Sequence, residues 1–394
     1  MKFNLDTLLA QLRSWLPKAR ASLEERASEL EANFTDSRRQ PLPDKMHRRL
    51  YRAIETLGSP SVRRTAIRSR LDEAIAAWLD FPTAPNHLAI LASPVEPIAT
   101  ILADTLPKQI SGHGLPVRSL ARFPRSNLGS QIWSNLSQEL ELPDRPDKSV
   151  LRSVVAIPDL SWCFVRCIDG LDAVETLLDW IARDRTHFWV IGCNEWTWHY
   201  LDRVCQLGAY WEQTLALEPL RDRELKVWLD PVAEIIEFEW SGEAEKNGDR
   251  SELEPDEEVW DSNDERRFFQ QLDDVSLGLM SVAARIWVRS LVVYAPAEDD
   301  PDATETILLE PPELPNLPHL GKNERYLLFS IGLHGGASIS TLAWSLGETE
   351  VAVRGQLQQL LRSGAIECKA ERFYLAPTHY PRLKRDLNNN HFLV

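Results

Sequence analysis

From His87 onward, short and wholly apolar runs alternate with stretches of helical periodicity. Leu88-Ala89-Ile90-Leu91, Val154-Val155-Ala156-Ile157 and Phe188-Trp189-Val190-Ile191 hold no polar side chain, as strands covered on both faces do. Val117 to Leu120 reads as a further strand. Between and after these runs, Ile98 to Leu106, Ile132 to Leu140, Leu171 to Ala182 and Trp196 to Leu207 carry apolar residues at helical spacing. Strand and helix in alternation predict an α/β domain built on a parallel sheet flanked by helices, over residues 81–217. Before it, residues 1–80 read as a helical region. Phe3, Leu5, Leu8, Leu9, Leu12, Trp15 and Leu16 trace a stripe along a first helix, and helices follow over Asp44 to Leu57 and Pro60 to Asp80. After it, residues 218–294 read as a helical lid, with helix over 218–230 and from Asp264 to Tyr294. An acidic, Gly-containing loop at 241–263 separates them. Residues 295–320, rich in Pro and acids, read as a linker.

The last segment, 321–394, has the most specific pattern. Asn323 to Leu333 is a helix, and Ser338 to Gly347 is a short one closed by glycine. In a third, Glu350 to Leu361, the positions Val353, Leu357, Leu360 and Leu361 face inward. Gly364 then leads into two short strands, Ile366 to Lys369 and Phe373 to Leu375. Helix, helix, turn, helix and hairpin in this order predict a winged helix.

Charge and composition narrow the reading. The chain of 394 residues carries a net charge of −15, so its surface as a whole is no nucleic-acid footprint. The excess acid falls on residues 230–313, roughly −18, while the two ends are mildly basic, roughly +4 and +3. No transmembrane segment is legible and no signal peptide either, since Asp6 and Arg13 interrupt the N-terminal apolar stretch, so a cytoplasmic protein is expected. Five cysteines with no CxxC pair predict free thiols, and Cys163 with Cys167 lacks the partners a metal needs. Fourteen Trp predict a large share of core and inter-domain packing. Arg48, Arg49, Arg52, Arg63, Arg64, Arg68 and Arg70 read as a solvated face of the N-terminal helices.

Strand, turn, helix, then a strand ending at Asp159 and another ending at Asn194, resembles the P-loop NTPases of the AAA+ and STAND type. The origin-recognition-like branch, with a lid and a C-terminal winged helix, resembles it most. The resemblance implies an ATPase fold and a nucleotide site, but the phosphate-loop motif is lost. A phosphate loop needs glycines whose amides curl around the phosphates, a lysine for their charge and a Ser or Thr for magnesium. The corresponding stretch here is Ala92-Ser93-Pro94-Val95-Glu96-Pro97-Ile98-Ala99-Thr100, with neither Gly nor Lys. Pro94 and Pro97 remove amide donors, Glu96 sets a negative charge where phosphate would sit, and Thr100 alone offers the hydroxyl. Asp159 matches the magnesium-organising acid, but Leu160 stands where the family places its catalytic Glu. Asn194 matches the sensor residue, and Arg285 lies one turn beyond the place of the lid's sensing arginine. Each also has a plain structural reading: Asp159 as a turn cap, Asn194 as the satisfied end of a strand, Arg285 as one half of an ion pair. Cys193, Glu195 and His199 are close in sequence but lack the ordering of a nucleophile with its base.

The expectation is therefore a vestigial nucleotide site at Ser93, Glu96, Thr100, Asp159, Asn194 and Arg285, with no catalytic residue, no metal and no cofactor. A non-catalytic scaffold or regulator working through a protein partner follows from it. DNA contact by the winged helix through Arg354, Gln358, Lys369 and Arg372 is the alternative, weakened by Glu348 and Glu350 at the front of the third helix. A nucleotide switch completed by a partner subunit is a third reading.

Overall fold

A computed structural model of the chain describes residues 39–81, 83–107, 109–110, 113–142, 151–240, 260–295 and 305–393. The helix expected over 3–33 and most of the acidic loop expected over 241–263 lie outside these residues.

The central sheet contains the three apolar runs as β2 (His87–Ala92), β5 (Ser153–Ile157) and β6 (His187–Asn194). With β4 (Leu115–Ser119) and β7 (Thr214–Ala216) they form a parallel sheet in the order β4-β5-β6-β2-β7, and β3 (Gln109–Ile110) adds an antiparallel edge. Side chains alternate across a strand, and the alternation sorts them into two cores. Leu88, Ile90, Val154, Ala156, Phe188 and Val190 face one core; Ala89, Val155, Ile157, Trp189, Ile191 and Cys193 face the other. The second core is closed by α4 (Gly129–Glu139), α5 (Asp172–Arg183), α6 (Glu195–Cys205) and the short α7 (Leu207–Tyr210). The first is closed by α2 (Ser61–Asp80) and α3 (Ile98–Thr105), and it runs on into the rest of the molecule. The expected α/β architecture, a parallel sheet flanked by helices, is present.

N-terminal helix α1 (Asp44–Thr56) packs on α8 (Asp222–Ala233) and α10 (Met280–Ser290), within the segment expected to be a lid. The single helix expected from Asp264 to Tyr294 is three elements: α9 (Asn263–Ser276), α10, and strand β9 (Leu291–Tyr294). The break falls at Leu277 and Gly278, both with positive φ; Gly278 also lies so close to Pro219 and Leu220 that a Cβ would overlap them. Strand β9 pairs with β1 (Arg39–Pro41) and with β10 (Thr306–Leu309), and β8 (Glu239–Trp240) completes this second sheet. The stretch expected to be a linker, 295–320, therefore carries a strand. Its apolar run Ile307-Leu308-Leu309 lies amid acids and prolines, and that composition masked it.

C-terminal helices α11 (Lys322–Leu333), α12 (Ile339–Leu346) and α13 (Glu350–Arg362) precede an antiparallel ribbon of β11 (Ile366–Lys369) and β12 (Arg372–Leu375). Ser338 and Thr349 cap α12 and α13, and Gly347 closes α12 in the left-handed conformation. A last helix, α14 (Tyr380–Asn389), returns to the sheet.

Candidate functional site: the crevice above the parallel sheet

Strands β2, β5 and β6 all end on one side, and the chain runs from β2 out to β4, back through β5 and β6, and then across to β7. In open α/β sheets, ligands bind over such carboxyl ends, where the strand order reverses. Here the crevice holds a cavity of about 570 Å³, lined by the loop after β2, the start of α10, Asp159, Asn194 and the ribbon.

The loop Ser93–Pro97 folds on itself: the Glu96 amide donates to the Ser93 carbonyl at 2.9 Å and the Ile98 amide to the Glu96 carbonyl at 2.9 Å. Its prolines leave α3 without a side-chain N-cap. Glu96 does not point outward. Its carboxylate is buried, 3.2 Å from Nη1 of Arg63 on α2, and both side chains are under 5% exposed. The amides of Met280 and Ser281, at the first turn of α10, lie against the same carboxylate. A helix start attracts anions, and the chain supplies one of its own. Burial nevertheless raises the Glu96 pKa, with Arg63 and the two amides opposing it. Arg63 was expected on a solvated face. It is buried, because a carboxylate carried into this interior needs a counter-charge.

Asp159 caps a 3₁₀ turn over Leu160–Cys163, accepting from the Ser161 amide at 2.9 Å. Leu160 is fully buried in the second core and is a packing position. Asn194 caps α6, accepting from the Thr197 amide at 3.0 Å and donating to the Thr197 hydroxyl at 2.8 Å. The Thr197 hydroxyl in turn donates to the Leu333 carbonyl at the end of α11. Arg285 pairs at 3.3 Å with Glu367 of the ribbon and stacks on Tyr51 at 4.0 Å. Thr100 lines the cavity, whereas Ser93 is buried beside Tyr380 of α14. Cys193 is buried with its thiol pKa raised well up by burial, which leaves no thiolate nucleophile there.

Arg125 fastens the C-terminal helices onto this crevice. It is buried, and it donates to the carbonyls of His334 at 2.6 Å and Gly336 at 3.1 Å and to the Ser161 hydroxyl at 3.3 Å. Burial pulls its pKa down to about 9, with Asp159 opposing. Gly335 lies so close to Asp159 that a Cβ would sit 2.8 Å from its Oδ2. Of the residues expected to face DNA, Arg354 and Gln358 are exposed on α13. Lys369 is exposed, borders the cavity and pairs with Glu367 at 3.2 Å, and Arg372 is half-buried. Sequence reasoning missed Arg63, Arg122, Arg125, Trp162 and Tyr374. For Arg63 the signal was present, since a Glu within an apolar turn calls for a cation elsewhere.

No family model matches the chain, and no curated protein matches it in sequence. Solved structures similar to it include the Thermotoga maritima RuvB Holliday junction branch migration motor, at 14% identity and TM-score 0.32, covering 81% of this chain and 94% of that one. The Aeropyrum pernix ORC2 protein, in ADPNP–ADP complexes, has 15% identity and TM-score 0.36 over 84% and 93%. Cdc6p from Pyrobaculum aerophilum has 12% identity and TM-score 0.33 over 84% and 94%. Likenesses of this size carry no inference about what the chain binds or does. No helix among the described residues is long and apolar enough to cross a membrane.

Proposed function

We propose that the protein is a non-catalytic, AAA+-like scaffold or regulator that works through protein contacts and turns over no nucleotide. One observation supports this above the others: Glu96, paired with Arg63 against the first amides of α10, occupies with its own carboxylate the place where a phosphate would be drawn. Phosphate affinity at such a loop rests on an open amide cradle and a free cation, and here the buried cation Arg63 is engaged by an internal acid. Asp159 and Asn194 serve as caps beneath the C-terminal helices, which supports a structural role for both.

Calorimetric titration of the purified chain with ATP and ADP, with and without magnesium, tests the reading. No magnesium-dependent heat or melting shift at millimolar nucleotide, and no release of phosphate, is the expected result. Magnesium-dependent binding at micromolar nucleotide would overturn it. The second reading, DNA contact, draws support from the outward face of α13, where Arg354, Gln358 and Arg362 are exposed. A salt-dependent shift of duplex DNA abolished by Arg354→Ala with Arg362→Ala would favour it, and no shift at low salt would remove it.

A further inference from the structure

The cavity above the sheet has two ends of different charge. At the loop end, Glu96 is answered by Arg63, and Glu55 and Asp104 stand in the wall. At the ribbon end the cations outnumber the acids. The register of the ribbon sets Glu367 opposite Tyr374 and Lys369 opposite Arg372, so the four share one face, and Glu367, Lys369 and Tyr374 line the cavity. Glu367 is already shared between Arg285 at 3.3 Å and Lys369 at 3.2 Å.

Arg122, in the loop after β4, and Arg372 have no such partner. Among the described residues, no carboxylate stands within ion-pair distance of either. Arg122 is held in place: it stacks on Trp162 at 5.2 Å and donates to the Tyr374 hydroxyl at 3.2 Å. The indole N–H of Trp162, a buried residue of the same wall, has no acceptor among the described residues. Burial and the charge of Arg122 both lower the pKa of Arg372, as a second cation beside a half-buried one requires; Arg122 itself reaches solvent. Asp159 attracts Arg122 from beyond ion-pair distance, which leaves the facing guanidinium groups without a direct partner, and an oxyanion that accepts from both forks reverses the sign of their interaction.

We propose that this seam binds a phosphorylated small molecule, with its phosphate bridging Arg122 and Arg372 and its body in the adjoining cavity. The volume of about 570 Å³ suits a ligand of that size. The site lies at the ribbon end and stands independently of the reading of the Ser93–Pro97 loop.

The test is calorimetry and thermal melting of the full chain with inorganic phosphate and with phenyl phosphate, which adds an apolar body. Both give saturable binding and a raised melting temperature, and phenyl phosphate binds the more tightly. Arg122→Gln and Arg372→Gln each weaken binding by about tenfold or more, while Arg49→Gln, on an exposed face of α1, leaves it unchanged. Without phosphate, Arg372→Gln melts at or above the parent, since it removes a repulsion; a side chain kept only for packing would lower the melting point instead. Should a Gln variant fail to fold, Arg122→Lys replaces it: charge is kept, the planar fork is lost, and binding still weakens. An unsaturable phosphate response overturns the proposal, and so does binding undiminished in these variants. Duplex DNA bound through Arg122 with no response to inorganic phosphate overturns it in favour of a nucleic acid.

Discussion

Arg63 and Glu96 are worth most when considered together. Two charges taken out of water cost more than their attraction returns unless both are present, and removing one strands the other. Arg63→Ala or Glu96→Ala is therefore expected to destabilise the chain by about 3–5 kcal/mol, whereas Arg63→Met with Glu96→Leu costs much less than the sum. Urea unfolding of the three variants measures this, and additive losses would mean that the pair does not act as one. A second residue carries a pH dependence. His87 is buried at the start of β2, and burial, with Arg185 adding to it, pulls its pKa from 6.5 down to about 4. The folded chain thus holds His87 neutral while the unfolded chain protonates it. Its contribution is complete above pH 6.5 and is lost as the pH falls toward 4, at up to about 1.4 kcal/mol per pH unit. The stability difference between the parent and His87→Gln, followed by urea unfolding across this range, should be flat above pH 6.5 and fall away below it.

Elements were legible in the sequence wherever burial was complete on a regular period. The apolar runs at Leu88, Val154 and Phe188 became β2, β5 and β6, and Gly347 marked the end of α12. What escaped were the strands of the second sheet: β1 pairs with β9 across more than 200 residues, β8 pairs with β10 across the stretch of chain that holds α9 and α10, and none of the four has enough local pattern to announce itself. The site divides in the same way. Missing glycines and the missing lysine could be read from Ser93 to Thr100, but the partners Arg63, Arg125 and Arg122 come from other elements, and side-chain pairing across a fold leaves no periodic trace. How the ribbon turns toward the sheet was equally hidden, because it depends on a turn of two glycines after α11. Gly336 has φ +92° and packs on the Tyr374 ring so closely that a Cβ would overlap it. Gly336→Ala is expected to cost about 1–3 kcal/mol through this strain. Hydrogen exchange would locate the damage: amides of β11 and β12 exchange faster while those of β5 and β6 keep their protection. Equal loosening of both would place the turn in the common core rather than at the ribbon.

At the scale of the whole molecule, the seam between the sheet and the C-terminal helices is built like a core. One apolar cluster runs from Leu42 through Ile90, Trp196 and Trp287 to Leu327, Tyr380 and Leu387, so the N-terminal helices, sheet, lid and C-terminal helices share it. Trp196 is its hinge point: on α6, it stacks on Phe329 of α11 at 5.9 Å and meets Tyr380 at 5.8 Å, with Gly332 directly against its ring. A side chain at position 332 would push the Trp ring away, which explains a glycine inside α11 despite its cost to a helix. Domains joined by a surface of transient character move and melt separately, whereas a continuous core couples them. Calorimetric melting of the parent chain should accordingly give one transition, with equal van't Hoff and calorimetric enthalpies. Trp196→Ala removes about 3–5 kcal/mol of packing from that seam alone, and the single transition should then split, the C-terminal helices melting first. Two transitions in the parent would mean that the ribbon and α14 sit on the sheet as a movable cover, and the crevice beneath would open without the rest of the chain unfolding.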